Sequence, residues 1–149
     1  MIDIENMVYT AVRSAVTAEV SDCYVTSEYT QVPEKFPCVM VNMVDNHVYE
    51  RTSDERVENH ARVVFQIEVF TAFTDKKKTF AKKIFQIVDG AMESIKFVRT
   101  MYANLPNMDK TIYRITTRYR AIVAQPITTS ETISGKTVTT NTYQIYNKE

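Results

Sequence analysis

The segment from residue 59 to residue 125 constrains the fold of this chain most strongly, because two stretches within it alternate with the period of a β-strand. Residues 112–123 alternate between an apolar face and a face of arginine and threonine. Between the two stretches, apolar side chains recur at helical spacing after Asp75, which we predict to be an N-cap. We therefore predict two long strands with a helix between them. In the first strand, at residues 61–73, the apolar face consists of Val63, Phe65, Ile67 and Val69.

The other elements of the main domain follow from shorter patterns. Residues 4–18 repeat apolar side chains at helical spacing, which predicts an amphipathic helix with Asp3 as its N-cap. Further strands are predicted at residues 22–31, 38–44 and 97–102. The resulting order is α-β-β-β-α-β-β. We therefore predict an α+β fold, a two-layer domain with two helices on one face of a mainly antiparallel sheet.

Two neighbouring segments leave alternatives open. Residues 38–44 are apolar on both faces, so this strand is covered on both sides, either within one subunit or by a neighbouring subunit. Residues 45–58 are mostly polar and highly charged, which predicts a long loop or an extended, mobile hairpin tip.

The composition changes after Pro126. Residues 127–146 are rich in threonine and poor in large apolar side chains, and residues 133–137 resemble a hairpin turn. We therefore divide the chain into an α+β domain at residues 1–125 and a C-terminal β-hairpin extension at residues 126–149. A hairpin of this polarity is marginal alone in water, so we expect it to lie along another sheet edge.

Composition argues against several classes of function. The 18 basic residues balance the 18 acidic ones, whereas general nucleic-acid binders usually carry a basic excess. Two glycines are too few for a phosphate-cradling loop, so no nucleotide cofactor is expected. No stretch approaches the ~18 apolar residues of a membrane helix. The acidic N-terminus is unlike a signal peptide, so we expect a protein made and used in a cytoplasm, without a membrane partner.

Neither a metal site nor a catalytic site is expected. Cys23 and Cys38 could be joined only by His47 and His60, and the four have no standard metal-ligand spacing. The two cysteines are expected to be buried or partly buried free thiols. Acidic residues crowd residues 45–58, but a mobile loop does not provide the rigid frame that metal catalysis needs. We therefore expect no enzyme activity.

Charged clusters are the first candidate interface residues. Lysines crowd the start of the second helix, where they oppose the helix dipole. They are either a basic patch for an acidic neighbouring subunit or a solvated helix end. The arginines of the last long strand either take part in a subunit interface or pair across the sheet, for instance with Glu68. The candidates are Lys76, Lys77, Lys78 and Lys82, the acidic loop residues Asp54, Glu55 and Glu58, and the strand residues Arg114, Arg118 and Arg120.

The hairpin supplies the apolar candidates. Ile127, Ile133 and Val138 are large apolar residues in an otherwise polar segment, and we expect them to contact a neighbouring subunit.

Residues 1–125 as a whole resemble the tail terminator (tail completion) proteins of tailed bacteriophages, in particular phages of Gram-positive bacteria. These local sequences describe structural elements and carry no catalytic signature. They are C-Y-V-T-S-E-Y at residues 23–29, K-F-P-C-V-M-V at 35–41, F-Q-I-E-V-F at 65–70, K-K-I-F-Q-I-V-D at 82–89, F-V-R at 97–99, L-P-N at 105–107 and I-Y-R-I-T-T-R-Y-R-A at 112–121.

The resemblance implies a structural virion protein, assembled in the host cytoplasm. It implies a homo-oligomer, a hexameric ring that caps the head-proximal end of the tail tube and ends tube polymerisation. Such a ring would bind the tail tube protein and a neck or head-completion protein, and DNA would pass through its lumen. The hairpin departs from the family pattern, and its polarity suggests an arm that docks on the next subunit, the tube or a neck protein.

Two other functions remain open at the level of sequence. One is a head–tail connector ring, a neck protein with a related fold. The other is a small nucleic-acid-binding protein or nuclease that uses the lysine-rich helix and the acidic loop. Neutral net charge and the lack of a metal-binding motif count against the latter.

Overall fold

The computed structural model describes residues 1–29, 33–48, 60–72, 77–106, 111–125 and 127–146, without the side chains of residues 127–129 and 141. The predicted α+β fold is confirmed, and the predicted order α-β-β-β-α-β-β is followed by three further strands. The elements are α1 (Glu5–Glu19), β1 (Tyr24–Thr26), β2 (Cys38–Val48), β3 (His60–Ala72), α2 (Lys77–Ser94), β4 (Val98–Asn104), β5 (Ile112–Ala124), β6 (Ile127–Ile133), β7 (Lys136–Thr142) and β8 (Ile145–Tyr146).

The main sheet has the strand order β1-β2-β3-β5-β4, and β8 pairs with β5 beyond the end of β4. All pairs are antiparallel except β1 with β2. The two long alternating strands lie side by side at its centre, from His60 opposite Ala124 to Ala72 opposite Ile112. Because side chains alternate between faces, this register places the apolar side chains of β3 and β5 on one common face.

Both helices pack on that apolar face, as predicted. Each helix turns its apolar stripe toward the sheet. Burial of each aliphatic side chain stabilises the fold by roughly 1.5–3 kcal/mol. The hydroxyl of Tyr119 lies at this interface and donates a hydrogen bond of 2.8 Å to Asp89 Oδ1 on α2. The core includes Val8, Val12 and Val16 of α1, Ala81, Ile84, Val88 and Met92 of α2, and Val63, Phe65, Ile67, Ile115 and Tyr119 of the sheet.

The opposite face of the sheet has a smaller apolar cluster at one end. Cys38 and Met40 of β2 are fully buried there against Phe70 and Ile112, and Phe36 packs against them. Both faces of this part of β2 are therefore covered within a single chain. The alternative of a strand buried within one subunit is confirmed for residues 38–41, whereas Val44 is 47% exposed.

Of the two alternatives for residues 45–58, a long loop is wrong for the first four residues, because β2 continues to Val48 and pairs there with β3, as in an extended hairpin. A β-bulge between Met43 and Asp45 shifts the register. Beyond it, Asn46 donates a hydrogen bond of 2.7 Å to the carbonyl of Ile2. The bulge interrupts the alternation, so polar residues here resemble a loop in the sequence. The remainder, residues 49–58, lies outside the described residues.

Smaller differences affect the other predicted boundaries. β1 has only three residues, so it is much shorter than the predicted strand at 22–31. The N-cap of α1 is Ile4 rather than Asp3, although the Asp3 carboxylate accepts a hydrogen bond of 3.0 Å from the Glu5 N–H. The predicted cap Asp75 of α2 lies outside the described residues.

The C-terminal segment does not form one extension from residue 126 onward. β6 and β7 form a separate two-stranded sheet, but β8 returns to the main sheet. Ile145 is buried in the core, and the Ala124 N–H donates a hydrogen bond of 2.9 Å to the Gln144 carbonyl. The projecting part is therefore only the hairpin β6–β7, and the main sheet holds the chain at both of its ends.

Candidate interaction surfaces

The arginines of β5 lie on the sheet face opposite the helices, where β3 provides the neighbouring side chains. The Arg114 guanidinium donates hydrogen bonds to Glu68 Oε1 from Nη2 and, at 3.1 Å, from Nε. It also lies 5.6 Å from the centre of the Phe70 ring, within range of a cation–π contact. The predicted cross-strand pairing with Glu68 is confirmed for Arg114, whose charge is thus used within the sheet.

Glu68 is the centre of this polar network. Its side chain is only 1% exposed. Besides Arg114, its Oε1 accepts hydrogen bonds from Thr116 Oγ1 at 3.1 Å and Gln66 Nε2 at 3.3 Å. Its Oε2 is buried without a partner in the described part of the chain. A buried carboxylate is tolerable only when it is paired and hydrogen-bonded, so this network holds β3 and β5 in one register.

The other two arginines differ in their exposure. Arg118 is exposed, and its Nε donates a hydrogen bond of 3.1 Å to Gln66 Oε1. Arg120 is half-buried and lies opposite Val64 on β3. Arg118 is therefore the arginine of this stripe that presents most charge to the outside.

The lysines of α2 are spread around its first turns. Lys77 is half-buried, and its carbonyl accepts a hydrogen bond of 2.7 Å from Thr71 Oγ1. Lys78 and Lys82 are exposed, and neither forms an ion pair with any described residue. The other members of this predicted contact, which are Lys76, Asp54, Glu55 and Glu58, lie outside the described residues.

The hairpin β6–β7 leaves its described side chains in solvent. Every residue from Ser130 to Thr140 is exposed, including Ile133 at 57% and Val138 at 46%. Ser134 and Gly135 form the predicted turn, both with positive φ, as a type I′ hairpin turn requires. Ile127 begins β6, but its side chain is not among those that the structure describes. Along the described residues β6 and β7 pair only with each other, so the expected second sheet edge is not found in this part of the chain.

A groove runs between the outer sides of α1 and α2, and no sequence pattern predicts it. It has a volume of about 700 Å³ and is called the α1/α2 groove below. A side-chain carbon added at Gly90 would meet nothing within 4 Å, so packing within the chain does not require a glycine there. Yet glycine inside a helix costs about 1 kcal/mol relative to alanine. The groove is lined by Ala15, Ala18, Glu19, Lys83, Gln86, Ile87 and Gly90.

The two cysteines are buried free thiols, as predicted. Burial raises the pKa of Cys23 to about 12, and nearby Asp22 adds to the effect. Burial likewise raises the pKa of Cys38 to about 12, with a smaller contribution from Cys23. Since the thiolate is the nucleophile and the metal ligand, neither cysteine is prepared for reaction or metal binding.

Two further findings concern the described part of the chain alone. It contains no group of three or more histidine, cysteine, aspartate or glutamate side chains placed to hold a metal ion. Neither α1 nor α2, as described, combines the length and the apolar composition needed to cross a bilayer.

Comparison with known proteins gives no family assignment: no protein-family model matches this chain, and no curated protein matches it.

Proposed function

We propose that this protein is a tail terminator, a structural virion protein. It forms a hexameric ring on the head-proximal end of a bacteriophage tail tube. The ring ends tube polymerisation and joins the tail to a neck or head-completion protein, with DNA passing through its lumen. The role is mechanical and uses no catalytic group, metal or cofactor.

The tail-terminator role rests on the resemblance of residues 1–125, and the observation that supports assembly into a ring is the projecting hairpin β6–β7. A two-stranded hairpin is marginal in water by itself, and this one exposes Ile133 and Val138. Both of its ends are held by the main sheet, through β5 on one side and β8 on the other. An arm that is firmly attached and otherwise uncovered is suited to contact another molecule, as subunits of an assembly do.

The surface of the domain is also compatible with a ring. Closed rings use head-to-tail contacts, in which two different surfaces of the same chain meet. Here the hairpin and the α1/α2 groove are two such unlike surfaces. Apart from L-P-N at 105–107, the local sequences that resemble tail terminators overlap β1, β2, β3, α2, β4 and β5, which form the body that would carry these surfaces.

Tube length is the readout that tests the proposal. The tail tube protein of the same phage is polymerised with and without this protein, and the tubes are measured by negative-stain electron microscopy. The proposal predicts shorter tubes with a ring-shaped cap at one end. Tubes of unchanged length and without caps would contradict it and would favour the neck-ring function, in which the protein binds connector proteins instead.

A further inference from the structure

The two faces of the hairpin differ in chemistry. Pairing in the hairpin places Ile133 opposite Lys136 and Glu131 opposite Val138, and alternation places all four on one face, here called the recognition face. The opposite face carries only small hydroxyl side chains at its tip, and is called the hydroxyl face. Its members are Ser130, Thr132, Thr137 and Thr139, and Ser130 Oγ lies 3.5 Å from Thr139 Oγ1.

The recognition face combines two exposed aliphatic side chains with one acid and one base. Ile133 and Val138 lie on one diagonal of the hairpin, and Glu131 and Lys136 lie on the other. Neither charged side chain forms an ion pair with any residue that the structure describes. This face is therefore chemically equipped for a partner with an apolar centre and one charge of each sign.

The α1/α2 groove has that composition. Its apolar lining comes from Ala15, Ala18 and Ile87, and its charged lining comes from Glu19 and Lys83. Neither of these two charged side chains forms an ion pair elsewhere in the described residues. The helix backbone is accessible at Gly90, where a side chain would meet nothing. A strand pair can therefore approach α2 closely at this point.

We propose that the recognition face of one copy docks in the α1/α2 groove of the next copy. Ile133 and Val138 cover the apolar lining over Gly90, Glu131 pairs with Lys83, and Lys136 pairs with Glu19. The inference rests on the proposed ring function and names the contact that closes the ring.

The positions of the two surfaces produce a head-to-tail contact. The base of the hairpin lies beside the start of α1, where Thr142 and Tyr143 line a cleft with Asn6 and Met7. The groove lies at the other end of α1, from Ala15 to Glu19, about 15 Å further along the helix. A hairpin with seven-residue strands projects about 23 Å, which is enough to reach into a neighbouring copy. Two unlike surfaces at opposite ends of one element can make a head-to-tail contact, which closes into a ring when the rotation from one copy to the next closes.

Charge exchange tests the pairing directly. Sedimentation velocity of the full-length protein, alone and with tail tubes, measures assembly of the Lys83→Glu and Glu131→Lys variants and of the double variant. Each single reversal should weaken assembly about tenfold, because attraction becomes repulsion. The double variant should restore assembly, because residues 131 and 83 again carry opposite charges while the pair of Lys136 with Glu19 is unchanged. Failure of the double variant to recover would overturn the assigned pair.

The apolar part of the contact has a matched control. The Ile133→Ser/Val138→Ser variant should assemble about a hundredfold more weakly, because two aliphatic side chains no longer enter the groove. The control Thr132→Ser/Thr137→Ser changes the hydroxyl face of the same hairpin and should assemble normally. Equal losses in both variants would contradict a specific recognition face.

A substitution within the groove tests whether the hairpin docks there. Gly90→Leu should block docking, whereas its isolated monomer should remain folded because the site is open. Circular dichroism melting of each monomer at low concentration checks that folding is retained. Normal assembly of Gly90→Leu would exclude the groove as the docking site.

The outcomes separate this inference from the proposed function. If wild-type protein neither self-associates nor assembles on tubes, the ring function fails, and the inference fails with it. If rings form on tubes with every variant, the ring function stands and only this contact is refuted.

Discussion

Glu68 is a buried charged residue, and its carboxylate needs a partner within the sheet. It is a carboxylate at the centre of a sheet, buried almost completely, and its charge is balanced by Arg114 from the neighbouring strand. Pairing of a β5 arginine with Glu68 was one of the two alternatives that the sequence left open, and Arg114 reaches Glu68 diagonally across the two strands. The sequence could not predict that Thr116 and Gln66 would complete the network or that Glu68 Oε2 would remain without a described partner. Both depend on the register of strands far apart in the chain.

Removal of Arg114 should destabilise the fold. Arg114→Ala leaves the Glu68 carboxylate buried and unpaired, and we expect a loss of about 3 kcal/mol in the free energy of unfolding. The control Arg118→Ala removes an exposed arginine from the same strand and should cost less than about 1 kcal/mol. Urea denaturation measures both. Similar values for the two variants would mean that the buried pair does not stabilise the sheet.

The cysteines should be unreactive in the folded protein. A pKa raised from 9.0 to about 12 reduces the thiolate fraction at pH 8 by about a thousandfold. Reaction with Ellman's reagent should therefore be slow in the native protein and fast in guanidinium chloride. The raised pKa values also stabilise the folded protein in a pH-dependent way, because the thiols of the unfolded chain ionise at lower pH than those of the folded protein. Their contribution is complete below pH 9 and is lost between pH 9 and about 12. Rapid native labelling at pH 8 would contradict this description.

Among the secondary-structure elements, the long helices and strands were predicted well from the sequence and the short strands poorly. The strands β3 and β5 and both helices follow from periodicity, because each buries a continuous stripe. β8 has only two residues, Ile145 and Tyr146, and no period can be read from two residues. The extension of β2 to Val48 was missed for another reason, since a bulge after Met43 changes which side chains face the core. Local sequence does not encode such a shift in a recognisable form.

The return of β8 predicts different results for two deletions at the C-terminus. Replacement of residues 127–142 by a short glycine-serine linker removes the hairpin but keeps Ile145 in the core, so stability should change by less than about 1 kcal/mol. Truncation after Gln125 also removes β8 and should cost about 2 kcal/mol or more through lost burial of Ile145. Thermal melting of the two proteins makes the comparison. Equal stability of both would show that β8 contributes nothing to the fold.

In the molecule as a whole, some candidate surfaces could be selected from the sequence, whereas others are defined only by the packing of the fold. The apolar residues Ile133 and Val138 could be selected from the sequence, because they are unusual in a threonine-rich segment. The α1/α2 groove could not, because it forms where residues near 15–19 meet residues near 83–90, and only the packing of two helices defines it. The predicted contact between the lysines of α2 and acidic residues of the segment 45–58 is only partly described. Lys78 and Lys82 are exposed as expected, but their proposed acidic partners lie outside the described residues.

The solution mass of the purified protein, alone and with the tail tube protein, tests the central claim most directly. Analytical ultracentrifugation should give a hexamer of six 17.2 kDa chains, about 103 kDa, either in solution or on tube ends only. The linker-replaced protein without the hairpin should remain a monomer under both conditions. A wild-type protein that stays at 17.2 kDa and ignores the tubes would contradict the terminator account.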